Sequence, residues 1–179
     1  IVDFKAYEEQ LSRFVFRSGM IMKPIIEKAR SNPKRILFAD GEDERVLRAT
    51  QVILEERMAT PILIGRPAAV ARAIEKYGLS LKPNDDFELV DPHDDHRYQD
   101  YVATYVEIAG RKGITPDAAK VLTRTNTTVM AALALRRGDV DAMICGLEGR
   151  FPSRLRYIKD IVGLAPGAHD FSALSLLIS

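Results

Sequence analysis

The sequence holds a single cysteine, Cys145, so no intrachain disulfide is possible and a reducing cytoplasm is the expected compartment. Its apolar runs all fall well short of the ~18 residues that a membrane-spanning helix needs, so no membrane partner is expected. The formal net charge is only +1, which gives no bulk attraction for nucleic acid or an anionic surface. Any anion site must therefore come from local clustering. The phosphate fingerprints are also missing: no Gly-x-Gly-x-x-Gly follows a strand and no Gly-Lys-Ser/Thr occurs. His93 and His96 lack further ligands at a recognisable metal spacing, so no metal site is expected. The chain opens Ile1-Val2-Asp3-Phe4-Lys5, with neither an initiator methionine nor a signal pattern. Phe171 to Ser179 reads as a strand with nothing after it, so the expectation is a piece of a longer protein.

What is present is alternation. The 179 residues suit one domain, preceded by a helical connector over 1–33. Tyr7, Leu11, Phe14 and Val15 recur at helical spacing, Ser18-Gly19 breaks the pattern, and a short helix over Met22 to Ala29 ends at Asn32-Pro33. From Lys34 short apolar strands alternate with helices: Arg35–Ala39, Pro61–Gly65, Phe87–Val90, Ala142–Cys145 and Phe171–Ile178 are the strands. Between them come helices from Glu42 to Met58, from Arg66-Pro67 to Gly78, and from Asp95 to Ala109. Further helices run from Thr115 onward, from Thr125-Asn126 to Gly138, and from Arg154 to Val162. The pattern predicts an α/β fold over 34–179, a mainly parallel sheet with helices on both faces in a three-layer sandwich. Ligands of such sheets bind beyond the carboxyl ends of the strands, which selects the turns after Ala39, Gly65, Val90 and Gly146.

Within those turns one cluster stands out. Gly146-Leu147-Glu148-Gly149 is a glycine-containing loop, and Arg150, Ser153, Arg154 and Arg156 crowd the helix start that follows. Free N–H groups and the dipole at a helix N-terminus favour anions, and arginine adds a bidentate grip on phosphate. A turn and a solvated helix face explain the same residues without a ligand. Asn126-Thr127-Thr128 is a good helix cap, and Asn126 and Thr128 are also candidate ligand donors. Cys145 reads as a small buried hydrophobe at a strand end, and the two histidines as members of a solvated loop. Glu42, Asp43 and Glu44 read as acids complementing a helix dipole. No complete catalytic set emerges.

The unit Ile36 to Leu47, with Pro61–Gly65, Lys112-Gly113-Ile114-Thr115 and Gly138–Gly146, resembles the phosphate acetyl- and butyryltransferases. Phe14-Val15, Ser18-Gly19 and Met22-Lys23-Pro24 resemble the junction that joins such a domain to the catalytic region of hybrid bacterial malic enzymes. The resemblance implies the first of two α/β subdomains, truncated before the second. The family's transferase arginines fall at Ala109, where the charge is missing, and at Arg156, where it is kept. Its phosphate-cradling loop corresponds to Arg150–Arg154, with only Ser153 left of a run of hydroxyls. Each lost charged hydrogen bond is worth about 1.5–3 kcal/mol, so acyl transfer should be badly weakened. The function this implies is regulatory: acetyl-CoA as allosteric inhibitor of a homo-oligomeric parent that oxidises malate with NADP and Mg or Mn held elsewhere. An active phosphate acetyl- or butyryltransferase and a purely structural oligomerisation domain are the alternatives.

Overall fold

A computed structural model of the chain describes residues 19–171. The helix expected around Tyr7 to Val15 lies outside them, as does nearly all of the strand expected at Phe171–Ile178. Helix α1 occupies 19–31, so Gly19 is helical rather than a break, and Asn32-Pro33 stops it as expected. The chain then runs β1 (Lys34–Phe38), α2 (Glu44–Glu55), β2 (Ala59–Ile64), α3 (Pro67–Tyr77), β3 (Glu88–Val90) and α4 (Tyr98–Ala109). A 3-10 turn, Gly110–Lys112, leads to α5 (Pro116–Thr125), α6 (Thr127–Arg137), β4 (Ala142–Ile144) and α7 (Phe151–Ile161).

The four strands form one sheet in the order β3-β2-β1-β4, and every pairing is parallel. The period of two along each strand sends Leu37, Ile62, Ile64 and Val90 to one face and Phe38 and Leu63 to the other. The first face is covered by α4, α5, α6 and α7, and the second by α2 and α3. This is the three-layer α/β arrangement expected from the alternation. Fully burying one aliphatic side chain contributes about 1.5–3 kcal/mol, against about 0–1 for an exposed ion pair, so the two apolar layers hold the fold.

Helix α6 is the most enclosed element: every residue from Thr128 to Val129, Met130 and on through Ala134 is buried. Asn126 caps its start, accepting from the Thr128 and Val129 amides at 3.1 and 3.3 Å. Gly138 ends it at φ 80°, a left-handed conformation that glycine adopts without strain. At the amino edge of the sheet, Arg35 fastens β1 to the turn after α6. Its guanidinium donates to the carbonyls of Asp139 (2.8 Å) and Gly138 (3.0 Å) and to Asp141, whose pKa these bonds hold down to about 2.

Three helix starts differ from the sequence reading. Helix α2 begins at Glu44 because Asp43 is its cap, and it buries Val46, Leu47 and Thr50. Helix α4 begins at Tyr98 because the Asp95 carboxylate takes both the amide (2.7 Å) and the guanidinium of Arg97 in a local turn. Helix α7 begins at Phe151, with Pro152 in its first turn.

Candidate functional site

The strand order reverses at β1, which pairs with β2 (and through it β3) on one side and with the later β4 on the other. Loops at such a reversal diverge and leave a crevice at the carboxyl edge. Here that crevice is a cleft of about 530 Å³. Its walls are the turn Asp40–Asp43 after β1, Gly65 and Arg66 after β2, and Pro92 and His93 after β3. Arg124, Thr125 and Thr127 from the α5–α6 junction and Glu148 and Arg154 after β4 complete it. All four turns selected from the sequence converge on it.

Two glycines let the walls approach. A Cβ on Gly41 would stand 2.6 Å from the Ile64 carbonyl oxygen, and one on Gly65 2.9 Å from Val70. The Glu42 carboxylate bridges the two turns, accepting from the Arg66 amide (2.9 Å), Nε (2.8 Å) and Nη2 (2.7 Å). The hydrogen bonds from Arg66 hold Glu42 below the ordinary glutamate range. Glu42 is thus a tie between loops, not a helix-start acid as read from the sequence. Asp43 alone caps α2, with its pKa lowered by Arg45.

The β4 side is built around Asp40. Its carboxylate accepts from the amides of Gly146 (3.0 Å) and Leu147 (3.1 Å) and faces Arg154 at 3.5 Å. Arg154 also donates to the Glu148 carbonyl (3.0 Å) and, through Nη1, to the Thr128 hydroxyl. The structure therefore links Gly146, Arg154 and Thr128 through Asp40 and Arg154, with Asn126 bonded to the Thr128 amide, and of these four only Arg154 lines the cleft. Arg150, Ser153 and Arg156 are exposed and line no part of the cleft. Arg156 instead sits 5.5 Å from the Tyr157 ring centroid, and its charge acts on Tyr105 of α4. Ala109 belongs to the same region: it is buried with Tyr157 and Ile161, and nearby Lys112 pairs with Asp160 in the last turn of α7. The two positions that the resemblance gives to arginines thus share the α4–α7 seam.

Cys145 is half-buried just past β4, and burial pushes its thiol pKa up against the pull of Arg154, which disfavours a nucleophilic thiolate. His93, read as a loop histidine, is exposed but stands on the rim of the cleft. Sequence reasoning passed over Asp40, Glu42, Arg66 and Arg124 as site residues. Their signal was position alone, since each lies within or beside a turn at the carboxyl edge or a helix junction facing it. Among the described residues no group of three His, Cys, Asp or Glu is placed to hold a metal ion, and no helix is long and apolar enough to cross a membrane.

Comparison with known proteins gives a consistent set of relatives. The family described as phosphate acetyl/butaryl transferase matches residues 20–179. The NAD-dependent malic enzyme of Rhizobium meliloti is 56% identical over 180 residues, 100% of this chain and 23% of that protein. The NADP-dependent malic enzyme of Haemophilus influenzae is 42% identical over 178 residues, 99% of this chain and 24% of that protein. A phosphate acetyltransferase of Thermoanaerobacterium thermosaccharolyticum is 29% identical, across 88% of this chain and 46% of that enzyme. In structure, a phosphotransacetylase from Streptococcus pyogenes superposes with a TM-score of 0.76 at 22% identity, covering 84% of this chain and 44% of that one. That likeness concerns the fold. The chain spans about a quarter of the length of the malic enzymes it matches.

Proposed function

The chain belongs to the phosphate acetyl/butaryl transferase family, and from that premise we propose that it is the regulatory lobe of a larger malic enzyme, binding acetyl-CoA without transferring its acyl group. The observation that carries this reading is the Asp40 carboxylate, which fills the paired amides of Gly146 and Leu147 and engages Arg154. A transferase must hold a free phosphate as acyl acceptor, and those donors are the ones that a phosphate beside the β4 loop would use. With them closed by a protein carboxylate, a thioester can bind while its acceptor has no seat. Ala109, buried and uncharged on the α4–α7 seam, removes a further cation.

Arg156 and Arg150 have no carboxylate within ion-pair distance among the described residues and remain available to the phosphates of CoA. Effector binding would favour one conformation of a homo-oligomeric parent over another and so lower malate turnover at a distance. The parent's conversion of malate to pyruvate and carbon dioxide, its nicotinamide and its divalent Mg or Mn belong to sequence outside this chain. The relatives' names include both NAD- and NADP-dependence. We keep NADP as the proposed coenzyme, to be settled by comparing rates with the two, and the cytoplasm as the compartment.

The test is calorimetric titration of acetyl-CoA into the full-length protein, together with assays of malate oxidation and acetyl phosphate formation. Saturable binding, inhibition of malate turnover and no acetyl phosphate are expected. Arg156→Ala should weaken inhibition about tenfold, the loss of one charged hydrogen bond, with uninhibited turnover unchanged. Acetyl phosphate formation at an enzymatic rate would overturn the regulatory reading in favour of an active transferase. Failure of any CoA ester to bind would leave a structural role.

A further inference from the structure

Three arginines line the cleft, and two of them are already engaged. Arg66 is held by Glu42, and Arg154 by Asp40, Thr128 and the Glu148 carbonyl. Arg124 differs: among the described residues no carboxylate lies within ion-pair distance of it. It is nonetheless positioned, since its guanidinium carbon stands 4.2 Å from the centroid of the Tyr98 ring. Tyr98 is a fixed plate, buried to 8% exposure, with its hydroxyl donating to the Lys120 carbonyl at 3.1 Å. A guanidinium stacked on a ring keeps its edge N–H groups free, and those are the groups that grip a phosphate in bidentate fashion.

The surroundings suit an anion. Thr125 donates its hydroxyl proton to the Val121 carbonyl at 2.8 Å, while Thr127 and His93 also line the cleft with Arg124. Asn126 caps α6 through the amides of Thr128 and Val129, so the Thr127 amide and hydroxyl stand outside that cap at the positive end of the helix dipole. The acidic wall, Asp40, Glu42 and Asp43, is by contrast neutralised by Arg154, Arg66 and Arg45. Arg124 and Glu148 are thus the cleft-lining charges without an ion pair among the described residues, and of the two only the guanidinium can receive an anion.

We propose that Arg124, set on Tyr98 and aided by Thr127 and His93, is the subsite that receives a phosphate group of the bound ligand, a phosphate ester or diphosphate such as CoA carries. The proposal rests on the reading that this cleft takes acetyl-CoA, and it adds the residue that recognises the anion. It separates the cleft contact from the exposed arginines of α7, whose role would be outside the cleft.

The test uses the full-length protein as wild type, Arg124→Ala, Arg124→Lys and, as a control away from the cleft, Arg136→Ala. Acetyl-CoA and inorganic pyrophosphate, the latter without divalent metal, are titrated into each by calorimetry, with circular dichroism checking that the variants fold. Arg124→Ala should weaken both probes about 10- to 100-fold. Arg124→Lys should recover part of that loss, and Arg136→Ala should match wild type. If acetyl-CoA fails to bind wild type while pyrophosphate binds and Arg124→Ala abolishes it, the acetyl-CoA reading falls and the anion subsite stands. Equal affinities of wild type and Arg124→Ala for both probes, or no binding of either probe to wild type, would overturn the subsite.

Discussion

At the residue scale the cleft is a set of charge pairs that leaves Arg124 and Glu148 unpaired among the described residues, and sequence conveyed the ingredients better than the pairings. Arg154 was legible as an anion holder because it stands in the first turn of a helix after a glycine loop. Its anion is Asp40, which lies more than a hundred positions earlier, and no spacing rule connects the two. Glu42 was legible as an acid near a helix start, but a carboxylate that reaches Arg66 at 2.7 Å serves a different end. Its titration gives a test. The folded pKa is lowered, so the stability from the Glu42–Arg66 tie is fully present above the ordinary value of 4.5 and is lost as pH falls through the lower folded value. Glu42→Gln should therefore lower the melting temperature by about 2–4 °C near neutral pH, with the gap to wild type shrinking as the solution is acidified below that range. A gap that stayed constant through acid pH would mean that the tie contributes nothing through its charge.

At the element scale the four described strands were read to within two residues, because short apolar runs bounded by turn residues have few other uses where no described helix is long and apolar enough to span a membrane. Helix ends were less legible, since they turn on local side-chain bonds that composition does not reveal. Asp95 and Asp43 each fold onto a neighbouring arginine and hold the start of a helix back by a few residues. Where the capping residue itself was visible, the reading held: Thr115 accepts from the Ala118 amide, and Asn126 opens α6. Asn126 is also the place where helix stability and the cleft meet. Asn126→Ala should cost about 1–2 kcal/mol, the upper part of the range for a lost cap because α6 is enclosed, as read by chemical denaturation. The same variant should loosen ligand binding by moving Thr127. A change under 0.3 kcal/mol, roughly the noise of such a measurement, would mean that packing along Thr128–Ala134 fixes the helix start without its cap.

At the scale of the whole molecule, the fold class and the edge of the sheet that carries the cleft were both legible, since alternation dictates a parallel sheet and the sheet dictates where loops converge. What could not be read was the neutralisation of the cleft, which depends on β4 lying against β1. That adjacency also sets an order in time. Strands β1, β2 and β3 follow one another along the chain, whereas the Asp40 carboxylate joins Gly146 and Leu147 across 106 and 107 positions. Distant contacts carry the cost of closing a long loop before they return any stabilisation, so they tend to form late. The expected order therefore puts the cleft last in the assembly of this lobe. Asp40→Ala should speed unfolding about tenfold in stopped-flow measurements while leaving the refolding rate nearly unchanged, and an equal slowing of refolding would place the contact in the nucleus instead. Under the proposed function, a site completed last would stay empty in a half-folded chain, and a bound effector would then report a lobe whose folding is finished.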